Sequence, residues 1–201
     1  MEPLMIDVPA RIETPRLILR CPTSADGAAH NEAVCESLTA LRPYVAWAQT
    51  APTLAQSEAE CRRMHARFLL REDLVMFMFE RPEQAAAGSE GGLVGGTGLH
   101  RIDWAQRNFE IGYWCRTGRQ RQGYVAEAVQ ALTRFAFDRL EARRIEIRMD
   151  AGNERSWRVA ERAGFRLEGV LRGDSLTPGG ELRDTRVYAR VRGVEEAAGA
   201  Q

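Results

Sequence analysis

Residues 116–127 read Arg-Thr-Gly-Arg-Gln-Arg-Gln-Gly-Tyr-Val-Ala-Glu, a run that places Arg116, Arg119 and Arg121 around the backbone at Gly123. Three guanidinium groups supply positive charge. A glycine suits a place where the chain must pass close to a ligand, because it has no Cβ to intrude. On the N-terminal side, residues 108–115 (NFEIGYWC) read as a strand with Phe109, Ile111 and Tyr113 on one face. On the other side, Val125, Ala128, Val129, Leu132, Ala136 and Leu140 recur at three- and four-residue steps, the period of an amphipathic helix. A strand–loop–helix junction of this kind leaves backbone N–H groups without partners and turns the positive end of the helix dipole on the loop. The chemistry it suits is capture of a phosphate or diphosphate. A solvated surface loop has the same local pattern, so the run alone leaves both readings open.

Composition narrows the alternatives. At 201 residues the chain suits one well-buried domain spanning 1–201, with a core over about 13–192. Lys+Arg 28 balances Asp+Glu 28, which argues against a general nucleic-acid or membrane-surface binder. No signal-peptide pattern and no apolar run of about 20 residues are present. The four cysteines, Cys21, Cys35, Cys61 and Cys115, are widely spaced, so neither a disulfide framework nor a metal site is expected, and a cytoplasmic location follows. Every basic residue is arginine. Without a lysine there is no Walker phosphate loop, Schiff-base lysine or pyridoxal-phosphate site. The 95–98 run Gly-Gly-Thr-Gly lacks the spacing of a dinucleotide fingerprint and continues into strand-like residues.

The elements that would position the loop can be read in order. Residues 1–15 are expected to be irregular, followed by strands at 16–20, 74–80, 93–102, 108–115, 144–150, 165–171 and 183–192. Weak helical pattern covers 23–38, and Thr53-Leu54-Ala55-Gln56 matches a capping box opening a helix to about residue 71. The long helix after the loop and a short one over 153–163, closed by Gly164, complete the set. Residues 82–92 read as a hairpin connection, and the glycines of 93–102 as a bulge or a close backbone approach. The tail 195–201 is expected to fray. The fold class is α/β (α+β): a mixed, mostly antiparallel sheet of about seven strands flanked by about four helices.

This order, with Gln120-Arg121-Gln122-Gly123-Tyr124-Val125-Ala126 at its centre, resembles the GNAT superfamily of acyl-coenzyme A-dependent N-acetyltransferases. It is more narrowly similar to the RimJ/RimL group, which acetylates protein N-terminal α-amines and some small-molecule amines. Supporting stretches are 109–114 (FEIGYW), 153–156 (NERS), 13–20 (ETPRLILR), Ala163-Gly164-Phe165, and Asp184 with Tyr188. Two departures stand out: Val125 replaces a small residue beside the diphosphate path, and Arg121 replaces a frequent glycine.

The resemblance implies acetyl-coenzyme A as the cofactor. Backbone groups of Trp114, Cys115 and Arg116 would bond its pantetheine arm as an added strand does, and the amides from Gln120 to Ala126 would hold its diphosphate. A backbone N–H near Trp114 or Cys115 would face the thioester oxygen. Asn153 would bond the pantetheine, and Ser156 would sit near the leaving sulfur. The substrate amine itself is the nucleophile; an α-amine with a reference pKa of about 7.7–8.0 needs only modest help to lose its proton. Glu110, or Asp174 with Ser175, could supply that help directly or through water. Tyr44, Trp47 and His100 are candidates for the acceptor side. The acceptor is a protein N-terminus, a ribosomal protein among the options, or a small molecule. No nucleic-acid or membrane partner is expected, and monomer and homodimer remain open. A non-catalytic sensor binding coenzyme A or another nucleotide on the same fold is the rival reading.

Overall fold

The computed structural model describes residues 2–84 and 91–194. Strands β1 (Arg11–Glu13) and β2 (Leu17–Arg20) are followed by helices α1 (Gly27–Leu41) and α2 (Leu54–Leu69). Then come β3 (Leu74–Glu80), β4 (Leu93–Asp103), β5 (Asn108–Cys115) and α3 (Tyr124–Arg139). The chain closes with β6 (Arg144–Asp150), α4 (Glu154–Arg162), β7 (Arg166–Leu176) and β8 (Leu182–Val191). The strands form one sheet in the order β1-β2-β3-β4-β5-β6-β8-β7.

Two points differ from the sequence reading. The first is β1, which lies inside the stretch expected to be irregular and makes an eighth strand. Its three residues pair antiparallel with β2, Ile12 opposite Leu19, between prolines that hide any longer period. The second is β7, which runs on to Leu176; register shifts at Leu167/Gly169 and Leu171/Ser175 interrupt the alternation that would have revealed it. The hairpin connection at 82–92 lies partly outside the described residues, with Pro82–Gln84 forming a 3-10 turn. The tail 195–201 lies wholly outside them.

Burial explains the rest. Along β3, Met76 and Met78 enter one core cluster while Phe77 enters another, as successive strand side chains must. The larger cluster packs Phe109, Ile111, Ile145 and Ile147 of the sheet against Ala128, Val129, Leu132 and Ala136 of α3. On the opposite face Phe77 and Leu93 meet Ala33 of α1 and Cys61 of α2. The capping box holds: the Gln56 N–H donates to Thr53 Oγ1 at 3.2 Å and the Thr53 N–H to Gln56 Oε1 at 2.8 Å.

The pairing between β5 and β6 matters most for function. It is the one parallel pairing among the described strands, and it covers only Asn108–Arg144, Phe109–Ile145 and Glu110–Glu146. Beyond Glu110, β5 stays bonded to β4 through Cys115 while β6 stays bonded to β8 through Asp150. The sheet therefore splits into a wedge between residues 111–115 and 147–150.

Candidate active site

A cavity of about 680 Å³ opens at this split. Its lining includes Gly112 and Trp114 from one face of β5 and Ile111 and Tyr113 from the other, so the space passes between the parted strands. Ile147, Arg148 and Ser156 border it on the β6 side, and Gln56, Glu60 and Arg63 of α2 reach it from above the sheet. Two glycines create room for rings: a Cβ on Gly96 would stand 2.6 Å from the Trp114 indole nitrogen, and one on Gly112 would stand 2.9 Å from His100 Nε2. Gly95 also runs tight against the Trp114 carbonyl, the close approach that the glycines of this strand suggested.

At the wedge mouth the chain turns into α3 through a 3-10 turn (Thr117–Arg119) and a left-handed Gly123, φ 81°. The Glu127 N–H is the first to bond back, to the Gly123 carbonyl at 3.1 Å. The amides from Arg121 to Ala126 find no acceptor among the described residues, the expected state of a helix start without a side-chain cap. Nothing lies within 4 Å of a Cβ built on Gly123 except Arg16 Nη2 at 3.3 Å. Such a concave set of N–H groups at the positive end of a 16-residue helix suits an anion with several oxygens.

The three loop arginines divide. Arg116 turns away to α1, its Nε donating to Glu36 and Nη2 to Glu32, both at 2.5 Å. Arg119 Nη2 stands 3.2 Å from Glu80. Arg121 has no partner among the described residues, and Arg155 joins it from α4 by donating to Gln120 Oε1 at 3.3 Å. The free positive charge at the loop is thus Arg121, with Arg155 nearby. Val125 packs against the large core cluster, so its bulk is directed away from the loop's N–H groups. The Tyr124 hydroxyl donates to Glu80 at 2.5 Å, and Gln120 Nε2 donates to the Cys115 carbonyl at 3.4 Å.

The loop is fastened by residues far from it in the sequence. Glu127 accepts the Thr14 hydroxyl at 2.6 Å, the Arg16 N–H at 2.9 Å and Arg16 Nε at 2.6 Å. Arg16 Nη1 donates to the Gln122 carbonyl at 2.8 Å. Burial raises the Glu127 pKa, but these hydrogen bonds outweigh it and hold the carboxyl below its ordinary value.

On the other side of the wedge, Asn153 caps α4, its Oδ1 accepting the Ser156 N–H at 3.2 Å. Ser156 Oγ donates to the Tyr113 hydroxyl at 3.2 Å, and that hydroxyl donates to the Ser156 carbonyl at 2.8 Å. Burial pushes the Tyr113 hydroxyl far up, so it stays protonated. Burial also pushes the Cys115 thiol up to about 11, leaving almost no thiolate near neutrality.

The proposed acid–base and acceptor residues are dispersed. Trp47 and His100 line the cavity; Trp47 meets Trp114 edge-on, ring centres 6.0 Å apart. Glu110 instead borders a separate hollow of about 100 Å³ with Arg101 and Glu146. Burial raises its pKa, and Arg101 at 3.4 Å from Oε2 attracts it without a hydrogen bond. Asp174 accepts from Arg148 at 3.0 Å and so acts on a cavity residue, not on the cavity itself. Ser175 accepts from Arg183 Nε at 2.9 Å, while Arg183 Nη1 donates to the Tyr44 carbonyl at 3.0 Å. Tyr44 and Ser175 thereby tie the 42–52 loop to the last hairpin outside the cavity lining. Among the described residues, no helix is long and apolar enough to cross a membrane, and no His, Cys, Asp and Glu cluster could hold a metal.

The model of the acetyltransferase (GNAT) domain family matches residues 16–166, the span that holds the parted sheet and the bare helix start; the chain belongs to that family. Its relatives include the Escherichia coli ribosomal-protein-serine acetyltransferase, 30% identical over 79% of this chain and 83% of that protein. A Bacillus subtilis relative is 37% identical over 103 residues, 51% of this chain. The chain spans about half the length of that protein, 56%. Among solved structures, the microcin C7 self-immunity acetyltransferase MccE superposes with a TM-score of 0.80 at 21% identity, over 92% of this chain and 97% of that one. RimL, the ribosomal L7/L12 alpha-N-protein acetyltransferase, also gives 0.80, at 22% identity over 90% and 97%. At such identities the match speaks for the fold.

Proposed function

We propose that this chain is a cytoplasmic N-acetyltransferase, one domain over residues 1–201, that uses acetyl-coenzyme A to acetylate a primary amine in a ternary complex. The observation that carries the reading is the β5–β6 wedge leading straight into the uncommitted amides of Arg121 to Ala126. Bound there, acetyl-coenzyme A would supply an activated acyl group as a thioester. The amides of Arg121 to Ala126, with the Arg121 side chain, would hold its diphosphate, the Gln120 N–H being committed to the Thr117 carbonyl at 3.3 Å, and the edge of Trp114, Cys115 and Arg116 would run beside its arm. Asn153 would contribute its side-chain amide, which has no partner for Nδ2 among the described residues. Ser156, held next to Tyr113, would turn its hydroxyl from the Tyr113 oxygen to donate a hydrogen bond to the departing sulfur.

Cys115 is a poor nucleophile with its raised pKa, which supports direct attack by the amine over a covalent acyl-enzyme. The relatives named for ribosomal-protein acetylation support a protein N-terminus as acceptor, and MccE, named for self-immunity to microcin C7, supports a small-molecule acceptor. Glu110 and Asp174 would act at a distance, the first through water and the second by orienting Arg148.

Release of free thiol from acetyl-coenzyme A, measured over a panel of peptides with free N-termini and small amines, tests the assignment. Turnover on at least one acceptor is expected. Binding of the cofactor without turnover on any acceptor would instead favour a sensor. In the same assay Ser156→Ala should lower kcat about tenfold, the loss equivalent to one hydrogen bond of about 1.4 kcal/mol to the sulfur. The KM for acetyl-coenzyme A should stay within about twofold, because Ser156 would touch only the sulfur that develops charge. An unchanged kcat would remove Ser156 from the chemistry.

A further inference from the structure

His100 Nδ1 lies 2.6 Å from Asp73 Oδ1, while the ring edge bearing Nε2 lies over Gly112 and borders the cavity. A carboxylate can only accept, so the proton of this bond belongs to Nδ1. In the neutral imidazole Nε2 then carries the free lone pair. That atom has no partner among the described residues, and the side chain keeps 31% of its surface exposed. Gly112 lies two residues past Glu110, where the β5–β6 pairing ends. The lone pair therefore hangs over the point where the strands part. Ser156 and Tyr113 lie on the other face of β5, so a proton acceptor and a hydrogen-bond donor flank the gap from opposite sides. His30, the other histidine of the cavity, is held neutral by burial but has no carboxylate to fix its tautomer.

We propose that His100 is the general base that takes the proton from the acceptor amine, with Asp73 as the positioning residue that keeps Nδ1 protonated. The proposal rests on the acetyltransferase reading. Nε2 takes one proton from the acceptor ammonium; the neutral amine nitrogen then bonds to the acyl carbon and releases a second proton to solvent. The acyl carbon–sulfur bond breaks with its electron pair on sulfur, which takes a proton from solvent, and the imidazolium returns its proton to solvent. The charged groups facing this ring are Asp73, Glu110 opposite it on β5, and Arg101 next along β4; Glu60, Arg63 and Arg148 border the cavity.

Two measurements test it. Nitrogen NMR of the histidine rings in the ligand-free protein should show His100 as the Nδ1–H tautomer, and Asp73→Asn should raise the Nε2–H form, because its amide can donate to Nδ1. A predominant Nε2–H tautomer in the unaltered protein would overturn the proposal before any substrate is added. In kinetics at neutral pH, His100→Gln should lower kcat about 100-fold with the Kd for coenzyme A unchanged within about twofold. The deficit should narrow at alkaline pH, where the acceptor amine is already neutral. Equal pH–rate profiles for variant and parent would discard the base and leave the acetyltransferase reading standing. A parent protein that binds coenzyme A but acetylates nothing would discard both.

Discussion

Gly123→Asp is expected to abolish measurable coenzyme A binding while the protein remains folded. Gly123 adopts φ 81°, where any other residue costs on the order of 1–2 kcal/mol. Its Cβ would meet only Arg16 Nη2, at 3.3 Å, so the substitution brings no clash that would break the fold. What it does bring is a carboxylate among the amides from Arg121 to Ala126, where a phosphate would otherwise accept. Charge-assisted hydrogen bonds are worth about 1.5–3 kcal/mol each, so displacing two of them costs about 4 kcal/mol. That is about a 1000-fold rise in Kd. Titration calorimetry checks the affinity, and circular dichroism checks the fold. Gly123→Ala separates the two causes, since it keeps the strain and omits the charge; it should weaken binding by about tenfold only. Equal affinity for Gly123→Asp and the parent would remove the phosphates from this loop.

Local periodicity revealed most of the architecture, because the strands that matter for it are buried on alternate residues or throughout. LVMFMFE and RIEIRMD could hardly be anything else. The loop was legible for the same reason: strand, glycine and helix follow one another within twenty residues. What the sequence hid are the long-range partners. Nothing in the spacing of Thr14 and Arg16 announces Glu127, more than a hundred residues away, and nothing in Asp73 announces His100. The fate of the loop arginines was hidden as well. Arg116 looked like a phosphate ligand until α1 brought Glu32 and Glu36 beside it, and Arg155 gave no sign of crossing to Gln120. Glu110 shows a third limit. Alternation gave its face correctly, but the end of the β5–β6 pairing, just past Glu110, is a long-range contact that no local period records.

The clasp at Glu127 is expected to carry both stability and function. Three donors converge on one carboxylate whose side chain is only 17% exposed, and Arg16 is held at once to Glu127 and to the Gln122 carbonyl of the loop. Glu127→Ala leaves the Arg16 N–H without its acceptor, leaves the Thr14 hydroxyl only the Leu17 carbonyl at 3.2 Å, and removes the counter-charge of a guanidinium beside the anion-binding amides. Removing one partner of a well-buried pair costs about 3–5 kcal/mol; with Arg16 half exposed, about 2–3 kcal/mol is expected here. For a chain of this size that is a fall in Tm of roughly 6 °C, read by calorimetry.

The pH dependence has a definite sign. Because the folded protein holds the Glu127 carboxyl below its ordinary 4.5, ionisation of Glu127 stabilises the fold above that value. The contribution is lost as pH falls through the depressed folded pKa. The stability gap between the parent and Glu127→Ala should therefore be full at neutral pH and shrink on acidification below about pH 4.5. Thr14→Val should reproduce part of the loss, and the double variant should lose less than the sum, since both remove the same bond. A gap that stays constant to within several tenths of a kcal/mol on acidification to about pH 3 would assign the clasp to packing alone, not to charge.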